Sequence, residues 1–178
     1  LLVPYITLSI KNARRIVWNT LRDLERGWGF GMEFLENQLI VRFPNGSQII
    51  MGGCQDEQEI EKFRGPKYSL CVIDECQSIR SKTLETLVDD ILEPALLDYD
   101  GSVWMFGTPA ASAAGYFYDM DQLDRSPWEQ HFWTLLENPH LPGAAAWLER
   151  RRQENGWDDE DATYRREYLG EWVRDENS

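Results

Sequence analysis

A chain of 178 residues with 42% hydrophobic, 12% aromatic and 28% charged residues has the composition and length of one globular domain, not of a disordered tail or a fibre. Lys and Arg number 18 against 31 Asp and Glu, a formal charge of −13, which argues against a domain that coats nucleic acid through clustered cations, though not against a small DNA-facing surface. Apolar runs such as Leu70–Ile73 and residues 103–106 fall far short of the ~20 residues that cross a bilayer, so no membrane span is expected.

Taken in chain order, residues 2–8 have the apolar, β-branched content of a buried strand, and Ser9 then offers an N-cap. The helix it opens carries Ala13, Ile16, Val17, Leu21 and Leu24 as its apolar stripe, with Lys11, Arg14, Arg15, Arg22 and Asp23 off it. The period then changes. Leu39-Ile40-Val41-Arg42-Phe43 and Gln48-Ile49-Ile50-Met51 flank Pro44-Asn45-Gly46-Ser47, and the Asn-Gly pair predicts an antiparallel hairpin inserted between helices. Residues 56–63 read as a short charged helix with few apolar anchors, solvated on most sides and ended by Gly65-Pro66. Residues 68–73 follow as a strand whose unalternating run Leu70-Cys71-Val72-Ile73 suits a central parallel position covered on both faces.

Residues 82–99 are expected to form a helix packed through Leu84, Leu87, Val88, Ile91 and Leu92. Residues 102–106 read as a second central strand, 111–120 as a helix and 131–136 as a last strand. Beyond Asn138-Pro139 two helices are expected, near 143–154 and 160–169, the acids Asp158-Asp159-Glu160-Asp161 capping the second. Strands alternating with helices predict an α/β fold with an open, mainly parallel sheet, flanking helices, the inserted hairpin and a small C-terminal helical subdomain. The expected division is 1–137 for the sheet-containing core and 138–178 for the helical part. Ligands of such sheets lie beyond the carboxyl ends of the strands, which is where chemistry is sought.

Asp74-Glu75 stand directly after the buried run Leu70–Ile73, the arrangement of a Walker B motif. An Asp there can hold Mg²⁺ through its water shell, and the adjacent Glu can orient and deprotonate an attacking water. The ordinary reading is an acidic strand end. Strand 102–106 runs into Gly107-Thr108-Pro109, so Thr108 puts a hydroxyl where the loss of a γ-phosphate can be sensed, or is a plain turn residue. Arg64, in Phe63-Arg64-Gly65-Pro66, is either a phosphate-clamping guanidinium or a surface Arg before a turn.

In their order, Ile49-Ile50-Met51-Gly52-Gly53, Lys62-Phe63-Arg64-Gly65, Cys71-Val72-Ile73-Asp74-Glu75 and Met105-Phe106-Gly107-Thr108-Pro109 resemble the ATPase domain of the large terminase subunit of tailed phages. The opening strand with Asn12-Ala13-Arg14-Arg15-Ile16-Val17-Trp18, the Asn138-Pro139 pair and the closing Glu167-Tyr168-Leu169-Gly170-Glu171-Trp172 look similar to that family too. The resemblance covers nearly the whole chain. It implies a P-loop NTPase-type fold and, in the complete protein, Mg²⁺-dependent ATP hydrolysis driving double-stranded DNA into a procapsid. It also implies a C-terminal nuclease domain, beyond residue 178, toward which 138–178 would serve as a helical lid or linker. On the resemblance, Asp74 is the Mg²⁺-linked Walker B aspartate and Glu75 the catalytic glutamate. Thr108 falls in the coupling motif, and Arg64 in the position of an arginine acting across a subunit boundary. The implied cofactors are ATP and Mg²⁺. The implied partners are double-stranded DNA, other large subunits in a ring, the portal protein and the small terminase subunit, with no membrane, in the host cytoplasm and transiently at the procapsid portal.

The sequence departs from the family pattern in one respect: it holds no GxxxxGK[ST], and none of Lys11, Lys62, Lys67 and Lys82 follows a Gly. It thus has no backbone nest for phosphates and no Lys for the β/γ oxygens. In the family that loop precedes the first strand, and a start at Leu1-Leu2-Val3-Pro4, with neither Met nor a signal peptide, fits a middle piece of a longer protein. Two other readings stand beside this one. A DExx-box helicase-like nucleic-acid-dependent ATPase fragment would use Asp74-Glu75-Cys76-Gln77 equally, but should continue into a second α/β lobe. A non-catalytic assembly module would keep the fold as a docking surface alone.

Elsewhere the signals are structural. Cys54, Cys71 and Cys76 are odd in number without CxxC spacing, and His131 and His140 lack ligand-spaced partners, so a reducing compartment and no structural zinc are expected. Trp18, Trp104, Trp133, Trp147 and Trp172 read as packing residues, and Arg150-Arg151-Arg152 as a solvated helix face.

Overall fold

The structure, a computed structural model, describes residues 1–122 and 128–174. It divides into two compact units, Leu1–Gly107 and Thr108–Ser178. The first holds a six-stranded sheet in the order β2-β3-β4-β1-β5-β6, with β1 at Leu2–Thr7, β2 at Glu33–Leu35, β3 at Ile40–Arg42, β4 at Gln48–Gly53, β5 at Leu70–Ile73 and β6 at Ser102–Met105. β4, β1, β5 and β6 run parallel, while β2, β3 and β4 form an antiparallel meander. The expected α/β class and mainly parallel sheet are what the chain adopts.

Ser9 caps the first helix as its side chain predicts, extended at φ −138° and accepting from the Asn12 N–H. That helix, α1, spans residues 10–28 as Ile10–Ala13, a π-helical stretch Arg14–Trp18 and Asn19–Trp28. Gly29 ends it at φ 63°, its N–H reaching the Glu25 carbonyl. Ala13 and Trp18 on α1 join Met32, Leu39, Val41 and Met51 in one buried cluster, with Tyr5, Val17 and Leu21 packed against it. Leu24, predicted on the same stripe, is not buried with it and remains 39% exposed.

The Asn-Gly turn forms as predicted: Phe43 N–H bonds to Ser47 O, Gly46 takes φ 84°, and the Asn45 side chain accepts from Ser47 N–H. The hairpin it closes lies between helices in the chain as expected, and it is also built into the sheet. β4 pairs with β1 on its other side in continuous register from Leu2↔Gln48 to Thr7↔Gly53, so the hairpin is part of the main sheet. β2, unpredicted, extends it by one more strand.

A short helix α2, Glu57–Glu61, begins at Asp56, whose side chain accepts from Glu59 N–H. It is anchored more firmly than its charge suggests, since Ile60 and Phe63 are buried and a Cβ at Gly52 would run into the Phe63 ring. α3 spans residues 81–96 as Ser81–Glu85, a π-helical Thr86–Leu92 and Glu93–Leu96. All five predicted packing residues, Leu84, Leu87, Val88, Ile91 and Leu92, are buried.

β6, expected in the middle of the sheet, is instead its outermost strand among the described residues, with Ser102 and Trp104 exposed. The run 103–106 is apolar enough for either place, and only the pairing decides.

In the second unit, α4 is Tyr116–Gln122, α5 Ala144–Asn155 and α6 Ala162–Leu169. α4 begins later than predicted, after Gly115 at φ 93°. The strand expected at 131–136 does not form. Thr134 and Glu137 instead make a reciprocal capping box that starts the single 3₁₀ turn Leu135–Glu137. α5 and α6 lie where expected, and Asp161 caps α6 through Tyr164 N–H. Trp172 packs edge-on to Phe117 and Tyr118, Trp147 and Trp157 lie against Tyr168, and Arg152 sits 4.5 Å over the Tyr164 ring. Arg150 and Arg151 pair with Glu154, and Arg152 with Asp159.

Candidate functional site

The carboxyl ends of β1, β5 and β6 meet at Asp74. Its N–H continues the ladder to Ile6 O at 2.8 Å, and on the other side Phe106 N–H reaches Ile73 O at 2.8 Å. The chain then leaves the sheet sharply at Glu75, which takes the left-handed conformation at φ 58° and ψ 41° and starts the 3₁₀ turn Cys76–Ser78. Such a backbone costs a non-glycine residue about 1–2 kcal/mol. Two bonds hold it: Ser78 N–H to Glu75 O and Cys76 N–H to Phe106 O, both at 2.9 Å. The end of β6 thereby fixes the turn that carries Glu75.

Both carboxylates have neutral donors. Asp74 accepts from the Tyr5 hydroxyl at Oδ2 and from the Glu75 N–H at Oδ1, the latter at 2.9 Å. Glu75 accepts from the Gln77 side-chain amide at 2.8 Å. Tyr5 lies opposite Val72 in the β1/β5 register, so period-two alternation puts Tyr5 and Asp74 on one face of the sheet. Burial first, and then the hydrogen bond to Asp74 and the negative charge of Asp74 and Glu75, raise the Tyr5 phenol well above its ordinary pKa, so it stays a donor. Two buried acceptors here lack protein partners among the described residues, the Thr7 hydroxyl oxygen at the end of β1 and the side-chain oxygen of Gln77.

Arg64 lies elsewhere on the first unit, three residues past α2. It is exposed, forked onto Glu61 through Nε and Nη2, and bonded through Nη1 to the Asp90 carbonyl on α3 at 2.9 Å. The hydrogen bond from Arg64 holds the Glu61 carboxyl below the usual range. Thr108 opens the second unit, exposed and outside regular structure. Of the sequence-predicted site residues, then, Asp74 and Glu75 stand together, while Arg64 is engaged by its own surface neighbours.

The sequence does not single out the partners Tyr5 and Gln77. Gln77 lies in the Asp-Glu-Cys-Gln motif but has no assigned role there. Tyr5 offers only its phenol in an otherwise apolar strand, and its relation to Asp74 needs the register between β1 and β5.

Among the described residues no group of three or more His, Cys, Asp or Glu could hold a metal ion. A single carboxylate suits a hard cation that keeps several waters and takes its remaining ligands from phosphates. With one donor on each oxygen, Asp74 keeps lone pairs for such waters. Cys54, Cys71 and Cys76 are buried and free, and burial pushes Cys54 and Cys71 up to about 12, which leaves them inert as nucleophiles at neutral pH. No helix among the described residues is long and apolar enough to cross a membrane.

The family profile described as phage terminase large subunit matches residues 27–171. No curated protein matches the chain in sequence. In fold the chain is similar to the large terminase of a thermophilic bacteriophage, at 19% identity and a TM-score of 0.74 over 97% of this chain and 41% of that one. Structures of that same terminase in complex with ADP and with ATP-gamma-S match at TM-scores of 0.74 and 0.71. The ATPase domain of the large terminase of Thermus phage P74-26 matches at 17% identity and a TM-score of 0.64, over 97% of this chain and 76% of that one. The HK97 bacteriophage large terminase matches at 14% identity and a TM-score of 0.64, over 96% of this chain and 40% of that one. The chain thus spans about two-fifths of the length of the large terminases from the thermophilic bacteriophage and from HK97.

Proposed function

The chain belongs to the phage terminase large-subunit family, and on that premise we propose that it is the part of a DNA-packaging ATPase that follows the phosphate-binding loop. The observation that carries this reading is the adjacent pair Asp74 and Glu75 at the carboxyl end of β5, flanked on both sides by parallel strands. The reaction is Mg²⁺-dependent ATP hydrolysis, coupled in the complete protein to translocation of double-stranded DNA into a procapsid. The other partners are further large subunits in a ring, the portal protein and the small terminase subunit, and the place is the host cytoplasm.

Asp74 would hold Mg²⁺ through its water shell. The ion, when bound, offsets negative charge on the phosphate oxygens. Glu75 orients the attacking water and takes its proton. The two carboxylates are held by different donors, Asp74 by the Tyr5 hydroxyl and the Glu75 N–H and Glu75 by the Gln77 amide, so they can do separate work although they are neighbours in sequence. Gln77 restrains the Glu75 carboxylate. Thr108 relays the loss of the γ-phosphate, and Arg64 stabilises charge on the nucleotide of a neighbouring subunit. The phosphate cradle comes from a GxxxxGK[ST] element supplied outside residues 1–178.

The test is made in the full-length protein. Glu75→Gln should leave nucleotide binding near wild type and lower hydrolysis by about 10²–10⁴-fold, the usual worth of a positioned acid or base. Asp74→Asn should weaken Mg²⁺-nucleotide binding as well. Packaging assays should show DNA translocation lost in both variants. A Glu75→Gln protein that keeps most of its ATPase activity would overturn the assignment.

A further inference from the structure

We propose that Tyr5 is a positioning residue for the candidate magnesium carboxylate: its phenol, presented from β1, fixes the orientation of Asp74 at the end of β5. The inference rests on the reading of Asp74 given above. It goes beyond that reading in assigning a role to a residue of a different strand, 69 positions away in sequence.

The geometry is specific. β1 and β5 are adjacent and parallel, with Tyr5 opposite Val72 and Ile6 opposite Ile73. Asp74 is the next residue on the Val72 face, one pleat beyond the last paired position. Its carboxylate meets a donor at each oxygen, the phenol at Oδ2 and the Glu75 N–H at Oδ1. A carboxylate bonded at one oxygen alone can still swing about its terminal torsion, which is broad and roughly two-fold. Held from two different elements, its plane is set. Each oxygen retains acceptor capacity, so the two donors orient the group without exhausting it.

The phenol is itself well placed to act as a fixed point. The Tyr5 backbone lies between two partners, Met51 on β4 and Val72 on β5, and its ring packs against the cluster of Ala13, Trp18, Val41 and Met51. The ring is therefore positioned by core packing and the carboxylate by the ring. A phenylalanine would fill the same volume and leave Oδ2 without its donor. Outer partners that orient a metal-holding group typically contribute about 10–100-fold to metal affinity or activity.

The experiment is a titration of Mg²⁺ against binding of a fluorescent ATP analogue by the full-length protein, comparing wild type, Tyr5→Phe, Asp74→Ala and the double variant. Tyr5→Phe should raise the Mg²⁺ concentration at half-maximal binding by about 10–100-fold, and should leave Mg²⁺-free nucleotide binding and the melting temperature close to wild type. In the Asp74→Ala background the same substitution should add nothing, because Tyr5 acts through Asp74. A Tyr5→Phe midpoint equal to wild type, with Asp74→Ala strongly shifted, would overturn the role of Tyr5 and leave the reading of Asp74 standing. An unshifted Asp74→Ala would overturn the reading itself. Equal losses with and without Mg²⁺ would reduce Tyr5 to a packing residue and overturn the proposal. Should Tyr5→Phe fail to fold, 3-fluorotyrosine at position 5 in the otherwise unaltered protein gives a second readout. Its ¹⁹F resonance should move when Mg²⁺ is added to the nucleotide complex and stay still when Mg²⁺ is added alone, and a resonance unmoved in both cases would overturn the proposal.

Discussion

Arg64 and Glu61 form a two-point ion pair on the surface, Nε to Oε2 at 2.7 Å and Nη2 to Oε1 at 2.9 Å, while Nη1 reaches the Asp90 carbonyl. Three of the five guanidinium N–H groups are thus used within the chain, leaving two for another acceptor. A planar fork held this way can bridge phosphate oxygens as a lysine cannot.

If Arg64 acts on a neighbouring subunit, Arg64→Ala and Glu75→Gln should each be nearly inactive in the assembled full-length protein. An arginine of this kind is worth about 10³–10⁵ in rate. Mixed assemblies should regain part of the ATPase activity, since some interfaces pair an intact Arg64 with an intact Glu75. ATPase assays over a range of mixing ratios, with assembly confirmed, check this. No recovery argues against action in trans, and full activity of Arg64→Ala alone removes the residue from the site.

The same pair predicts a pH dependence. The hydrogen bond from Arg64, and then its charge, lowers the Glu61 pKa below the ordinary 4.5. With the folded value depressed, the stabilisation is complete above the unfolded pKa and is lost as pH falls through the folded one. In Arg64→Gln, Glu61 should titrate at a higher pH than in the wild type when followed by carboxyl NMR. Coincident titration curves would show that the pair has no hold on Glu61.

Glu75 carries a backbone conformation that favours glycine. Glu75→Gly should therefore stabilise the fold by about 0.5–1 kcal/mol, the left-handed penalty relieved less the larger entropy loss of glycine, while abolishing hydrolysis. Urea unfolding and an ATPase assay measure the two halves. A destabilised Glu75→Gly would mean that the Gln77 contact outweighs the strain.

Gly52 faces the Phe63 ring so closely that a Cβ would overlap Cζ and lie 3.1 Å from Cε1. Gly52→Ala should cost about 1–3 kcal/mol, as overpacking does, and Phe63→Leu should recover part of that in the double variant. Denaturant midpoints give the cycle, and an additive result would show that the ring does not make the contact.

Much of the sheet is legible in the sequence because its signals are local. Ser9 as a cap, Asn45-Gly46 as a turn and Leu70–Ile73 as a buried run each specify their own few residues. What escapes the sequence depends on partners far away in the chain. Residues 103–106 look the same at the edge of a sheet as in its middle, and β2 is too short for its alternation to register. At 131–136 the β-prone Phe132 and Trp133 lose to the capping box of Thr134 and Glu137, which starts a three-residue 3₁₀ turn. The π-helical stretches at Arg14–Trp18 and Thr86–Leu92 have no local sequence signature. In the site, the position of Asp74-Glu75 follows from the apolar run before it. The left-handed turn at Glu75 and the bond from Tyr5 do not, since one is fixed by contact with the end of β6 and the other by inter-strand register.

β6 lies outermost, with no further strand paired to its outer edge among the described residues and Trp104 half-exposed on it. For a preparation of residues 1–178 this is a colloidal matter. An open strand edge invites pairing between molecules, and the net charge of −13 opposes it only over the Debye length, about 10 Å at 0.1 M salt and shorter above that. Such a sample should stay dispersed in dilute buffer and self-associate as salt is added, the reverse of ordinary salting-in.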